Sequence, residues 1–339
     1  MNRPSLNELF ERLGLGVLIA EPAPVTGGLL HRTWKVTTAS GRYAVKELSP
    51  AIVRRSGARD DWLRSEKLAR TLADAGVPAV PALTHDSTPL QVCGDATVMI
   101  YPWIDGLPLA TGTVDVGRCR QIGLVLARIH RHGLSAEGCK PPSVTAVQES
   151  MWRDLQHQAR RQDAPFVPQL DQALPLLTTL SAGYSQAIGR IADDLVLSHR
   201  DLDQKNVLWR DDNSPALVDW EGAGLINPHV ELFDVALNWS GLAATSDGQQ
   251  AFRALIQAYR TDHGLPGGLG GPALLGVMGN WMDWLAFNLE RYLDPSVDAG
   301  ERTIATAEVL TTLEIVQSLH RRSARLIDVF NATVISAER

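Results

Sequence analysis

Residues 197 to 209 read "LSHRDLDQKNVLW" and place two carboxylates, a lysine and an asparagine between two apolar ends. The ends have strand character, and "DDNSP" (211 to 215) followed by "ALVDWE" (216 to 221) supplies a turn and a further apolar run. The segment therefore predicts short strands around a polar loop, inside a region that is otherwise helical in pattern. Such a loop concentrates acceptors and donors where backbone can hold them, so it calls for a chemical explanation.

The whole chain sets the frame. At 339 residues it exceeds one ordinary domain, which predicts two lobes or a compact domain with a large insertion. Hydrophobic residues make up 45% and charged residues 21%, the balance of a globular enzyme rather than a disordered chain. A net charge of −6 argues against general affinity for nucleic acid. Cys93, Cys119 and Cys139 lack metal-ligand spacing, and their odd number fits a reducing cytoplasm. No run of 18 apolar residues is present, so no membrane span is expected. The opening "MNRPSLNELFERLGLG" reads as an amphipathic helix and not a signal peptide: Ser5 and Glu8 have capping-box spacing, Leu6, Leu9, Phe10 and Leu13 share a face, and Gly14 can end it.

The texture changes near residue 100. Before it, Thr33 to Thr38 and Arg42 to Glu47 predict two strands joined by "ASGR", Asp61 to Ala75 predicts a helix, and Thr97 to Tyr101 predicts a short strand. After it, Ile122, Val125, Leu126 and Ile129 follow helical spacing, and further helical stretches cover roughly 144 to 162, 169 to 191, 228 to 260 and 273 to 331.

Within the opening stretch, His199, Arg200, Asp201, Leu202 and Asn206 match the pattern H-R-D-L-x-x-x-N of kinase catalytic loops. Five specified positions recur by chance on the order of 10⁻⁴ times in a chain of this length. In that pattern the Asp accepts a proton from an acceptor hydroxyl and the Asn holds a metal ion. Thirteen residues after Asn206, Asp219 ends an apolar strand, where a second metal-binding acid belongs, and Glu221 lies two residues on. Upstream, Lys46 in "YAVKE" matches the V-A-I-K type of phosphate-binding lysine, and Glu66, twenty residues later, is placed to pair with it. Gly27 and Gly28 permit the close backbone approach of a loop that covers phosphates, although a glycine hairpin explains them equally well.

The order "GGLLHRTWKV", "YAVKEL", "SEKLARTLADAGVPAVPAL", "MIYPWIDG", "LARIHRHGL", "SHRDLDQKNVLW", "LVDWEGAGLINPHVELFDVAL" resembles the aminoglycoside phosphotransferase and choline kinase superfamily of small-molecule kinases over about residues 20 to 245. The resemblance implies an α+β, protein-kinase-like fold of two lobes. A five-stranded antiparallel N-lobe with one main helix would span 1 to 98, a hinge 99 to 105, and a mostly helical C-lobe 106 to 339. It further implies Asp201 as catalytic base, Asn206 and Asp219 as Mg²⁺ ligands with Glu221 beside them, and Lys46 with Glu66 on the phosphates of ATP or GTP. Met99, Tyr101 and Trp103 would lie along the nucleotide's purine.

Three departures narrow this. Arg200 stands where the family commonly has a small residue and is expected to make an internal ion pair. Asp203, Gln204 and Lys205 replace a His-Pro-Gly-like run, and Trp220 follows Asp219 where protein kinases have Phe-Gly. With no A-P-E segment, protein phosphorylation is not expected. The acceptor is expected to be a small hydroxylated molecule such as an aminoglycoside-like antibiotic or amino sugar, with choline, ethanolamine or homoserine as the alternative; a nucleotide-binding regulator without turnover is a third reading. In "GNWMDWLAFNLERYL", Asp283, Trp284 and Asn288 suit a cationic amine or sugar ring, and a core helix with a solvated acidic face accounts for the same pattern.

Overall fold

Alternating side chains in the first third of the chain build a sheet with two different faces. The computed structural model describes residues 3–25, 31–54, 57–110, 112–133, 148–192, 194–242, 248–264 and 269–335. Strands β1 (Ala23–Val25), β2 (Arg32–Thr38), β3 (Gly41–Glu47), β4 (Leu90–Cys93) and β5 (Ala96–Pro102) form one antiparallel sheet in the order β1-β2-β3-β5-β4. The β2–β3 turn is the expected one, and Thr38 Oγ1 accepts from the backbone N–H groups of Ser40 and Gly41 to close it.

On one face, Val36, Val45, Val98 and Ile100 pack on Leu6, Leu9 and Phe10 of helix α1 (Arg3–Arg12). Because successive strand residues point to opposite faces, Lys46 emerges on the other side, in register with Thr33 and Met99. That second face carries Met99, Leu90 and Leu48 against Trp62 and Ala58 of helix α3 (Ala58–Asp74), with the short α2 (Pro50–Val53) before it. Two sequence expectations shift here. Helix α1 already runs at Arg3, so Ser5 lies inside it and does not cap it. Helix α3 starts three residues earlier than its apolar pattern, because Asp60 and Asp61 in its first turn favour the positive end of the helix dipole.

The chain divides into two compact units, 1–111 with 199–224, and 112–198 with 225–339. The division differs from the expected boundaries at 98 and 106, since the segment 199–224 belongs with the sheet. Strands β7 (Val207–Trp209) and β8 (Pro215–Leu217) form a hairpin, and its backbone is bonded on both sides within the first unit. Val80 donates to Leu217 O and Leu217 to Pro78 O, at 2.9 and 2.8 Å. Leu107 and Trp209 exchange N–H···O bonds of 3.1 and 3.0 Å.

The second unit contains β6 (Val196–Ser198) and, after β9 (Gly224–Ile226), which begins at the unit boundary, the helices α4 (Val116–Arg131), α5 (Glu149–Arg161), α6 (Val167–Ile191), α7 (Pro228–Ser240), α8 (Gln249–Asp262), α9 (Gly270–Leu293) and α10 (Ala299–Ile335). The helical stretch expected over 228 to 260 is divided at Gly241, whose φ of 65° ends α7, and the stretch over 273 to 331 is divided at Pro295. Helices α4 and α8 approach so closely at Gly123 that a Cβ there would lie 2.2 Å from Leu255 O. Among the described residues no helix is long and apolar enough to cross a membrane.

Candidate active site

The β7–β8 hairpin brings the two halves of the polar motif together. Its register pairs Val207 with Leu217, and one step earlier Val218 donates to Asn206 O at 3.0 Å, so Asn206 lies opposite the residue that precedes Asp219. His199 is fully buried and locks this arrangement. Its Nδ1 accepts from Asp201 N at 3.3 Å, which leaves Nε2 to carry the proton and donate to Val218 O at 3.0 Å. The ring lies 4.5 Å from that of Trp220, itself tied to Leu217 O through Nε1.

Asn206 Nδ2 donates to both the backbone oxygen and Oδ2 of Asp201, each at 2.8 Å. The amide thereby orients the carboxylate and keeps its own Oδ1 as a lone-pair donor. Burial pushes the Asp201 carboxyl above its ordinary value, against the pull of Lys205 and Asn206, which suits a proton acceptor. Asp219 adopts φ 65° and ψ 62°, and Arg200 φ 64°. A left-handed residue other than glycine costs about 1–2 kcal/mol, so the surrounding bonds hold strain at both ends of the site.

Lys46 reaches this site from β3. Its Nζ donates to Asp219 Oδ1 at 2.8 Å and Glu221 Oε2 at 2.9 Å, with 12% of the side chain exposed. Burial works to lower its pKa, but the two carboxylates outweigh it and raise it. Glu221 also receives His31 Nε2 at 3.1 Å, while His31 Nδ1 accepts from Ser49 N. Burial alone would raise the Glu221 carboxyl; His31 and Lys46 overcome that and bring it down to about 2.

Glu66 is buried, but Lys46 is not its partner. Its carboxylate accepts from Ala82 N at 2.6 Å and from the Tyr101 hydroxyl at 2.8 Å. Tyr101 lies two residues from Met99 on the same sheet face as Lys46, so its hydroxyl takes the place expected for the ammonium. Desolvation raises the Glu66 carboxyl, and burial with Glu66 raises Tyr101 well above its ordinary value. Met99 is buried in the core, and Trp103 carries Lys35 over its ring at 4.5 Å while donating to Asp105. Gly27 and Gly28 lie outside the described residues.

Of the residues expected at an acceptor site, all lie on α9 in the second unit. Asp283 is exposed, Trp284 donates to Glu308 at 3.0 Å and stacks on Phe287, and Asn288 is buried with Nδ2 on Trp284 O. Two polar residues of the site have no role that the sequence pattern assigns. His31 stands just after the glycine pair, and Lys205 just before Asn206; their positions were visible, but their partners were not.

Asp219, Glu221 and the free Oδ1 of Asn206 are oxygen donors only, the set that Mg²⁺ takes when one or two carboxylates and substrate phosphates complete its shell. Among the described residues no three His, Cys, Asp or Glu side chains converge as a metal cage.

The chain matches the model of the phosphotransferase enzyme family over residues 21–267. No curated protein matches it by sequence. Among solved structures it resembles a spectinomycin phosphotransferase in complex with ADP and spectinomycin, at 15% identity and TM-score 0.70 over 95% of this chain and 99% of that one. An ethanolamine kinase from Plasmodium vivax aligns at 12% identity and TM-score 0.61 over 91% and 86%. A macrolide 2'-phosphotransferase from Brachybacterium faecium aligns at 20% identity and TM-score 0.52 over 90% and 97%. These likenesses carry the protein-kinase-like fold, and the family match extends over most of the sequence, including Lys46, the catalytic-loop motif and Asp219: the chain belongs to the phosphotransferase enzyme family.

Proposed function

We propose that the protein moves the γ-phosphoryl group of ATP or GTP onto a hydroxyl of a small, amine-bearing acceptor such as an aminoglycoside-like or other hydroxylated antibiotic. The observation that carries this reading is the meeting of Lys46, Asp219 and Glu221 within one unit that also holds the Asp201–Asn206 pair. Asp201 accepts the proton as the hydroxyl oxygen bonds to phosphorus, and the bond from phosphorus to the nucleoside diphosphate breaks. Lys46 tethers the phosphates, and Asn206 keeps Asp201 aligned. Magnesium, held by Asp219 and Asn206 Oδ1 with Glu221 beside them, would supply charge neutralisation on the phosphate oxygens. The spectinomycin enzyme, matching nearly end to end, supports an antibiotic acceptor; the likeness to the ethanolamine kinase supports a small amino alcohol as the second reading.

The test is ADP or GDP release with Mg²⁺ against aminoglycosides, spectinomycin, macrolides, choline, ethanolamine and homoserine. Turnover with one acceptor class, lost in Asp201→Asn, is expected. Unchanged turnover in a folded Asp201→Asn protein would sink the assignment.

A further inference from the structure

Lys205 sits in the loop position where nothing in the reaction as described requires a cation. Its Nζ lies 2.9 Å from Asp203 Oδ2 and 3.5 Å from Asp201 Oδ2. Asp203 holds the same residue a second time, accepting from Lys205 N at 2.9 Å through Oδ1 as it caps the turn Gln204–Asn206. The ammonium is thus fixed at both ends of its residue and aimed at the proposed base. Stability does not explain this. The Lys205 side chain is 57% exposed, and ion pairs at such sites contribute about 0–1 kcal/mol.

We propose that Lys205 is a further catalytic residue, placing a second ammonium beside Asp201 to neutralise the phosphoryl group in transfer; this rests on the reaction proposed above. Asp201 Oδ2 is already bound by Asn206, so the acceptor hydroxyl meets the remaining lone pairs, and phosphorus lies just beyond that hydroxyl. An ammonium 3.5 Å from the carboxylate is therefore within a flexible stem's reach of the equatorial phosphoryl oxygens. Lys46 faces Asp219 and Glu221, and Lys205 faces Asp201, so the two cations approach different parts of the phosphate chain. During the step the O–P bond to the acceptor forms, the P–O bond to the diphosphate breaks, the proton passes to Asp201, and Lys205 keeps its three protons.

The test measures affinity for ADP with Mg²⁺, with and without aluminium fluoride as a mimic of the phosphoryl group in flight, for the native protein, Lys205→Met, Lys205→Arg and Asp201→Asn. Fluoride is expected to tighten ADP binding about tenfold or more in the native protein and in Lys205→Arg, with most of that gain lost in Lys205→Met. ADP alone should bind all four within about twofold, because the charge acts on the transferred group. A full fluoride gain in Lys205→Met overturns the role of Lys205 and leaves the proposed function standing, as does the absence of a gain in a native protein that binds ADP. A native protein that binds no ADP overturns the proposed function and this role together. Melting curves for each variant separate a lost contact from a lost fold.

Discussion

Lys46 Nζ and Asp219 Oδ1 stand 2.8 Å apart although 173 residues separate them, and the same ammonium bonds Glu221 at 2.9 Å. One cation thereby holds two carboxylates on a strained 3₁₀ turn against the sheet. Lys46→Met takes this cation from both acids and leaves Glu221 with His31 alone. Unfolding in urea should show a loss of about 1–3 kcal/mol, and phosphoryl transfer should fall at least 100-fold. Retained turnover would remove Lys46 from the phosphate site.

Glu221 predicts how stability responds to acid. Its folded-state pKa, about 2, lies below the ordinary 4.5, so its contribution is complete above 4.5 and is lost as the pH falls from there towards 2. The urea midpoint of the native protein should therefore drop between pH 5 and pH 3 more steeply than that of Glu221→Gln. Parallel curves would mean that His31 and Lys46 do not hold this carboxylate in solution.

Asp201 has the opposite displacement. Burial raises its carboxyl above 3.8, so the acid limb of kcat/KM should lie above that value, with activity rising as the group ionises. Asp201→Asn should lower kcat by about 10²–10⁴-fold with little change in stability, since the carboxylate is partly exposed and its ion pair with Lys205 is a surface one. A melting temperature well below the native one would point to a structural role.

Gly123 tests the second unit independently of the chemistry. A Cβ at this position would press on Leu255 O at 2.2 Å, so Gly123→Ala must push α4 from α8 and should cost about 1–3 kcal/mol. Unchanged stability would show that the helices separate freely.

Much of the fold was legible because it rests on local periodicity. Alternation in Thr33–Thr38 and Arg42–Glu47, the broad apolar face after Asp61 and the turn at "ASGR" each depend on neighbours within a few residues. Helix ends were less legible: the breaks at Gly241 and Pro295 punctuate runs whose apolar pattern continues on both sides. The membership of 199–224 in the sheet unit was not legible at all, because backbone hydrogen bonds of Leu217 with Pro78 and Val80, and of Trp209 with Leu107, decide it.

The same division runs through the site. From its sequence alone the protein has a phosphotransferase's functional groups, since the spacing of His199, Asp201, Asn206 and Asp219 is dictated by one loop and one hairpin. Only the tertiary structure decided who pairs with whom: Tyr101 rather than Lys46 on Glu66, His31 and Lys46 on Glu221, and Lys205 held beside Asp201 by Asp203. Those partnerships depend on distances of about 3 Å between side chains that, for the most part, lie far apart in sequence, and burial decides which of several available charges is close enough to win.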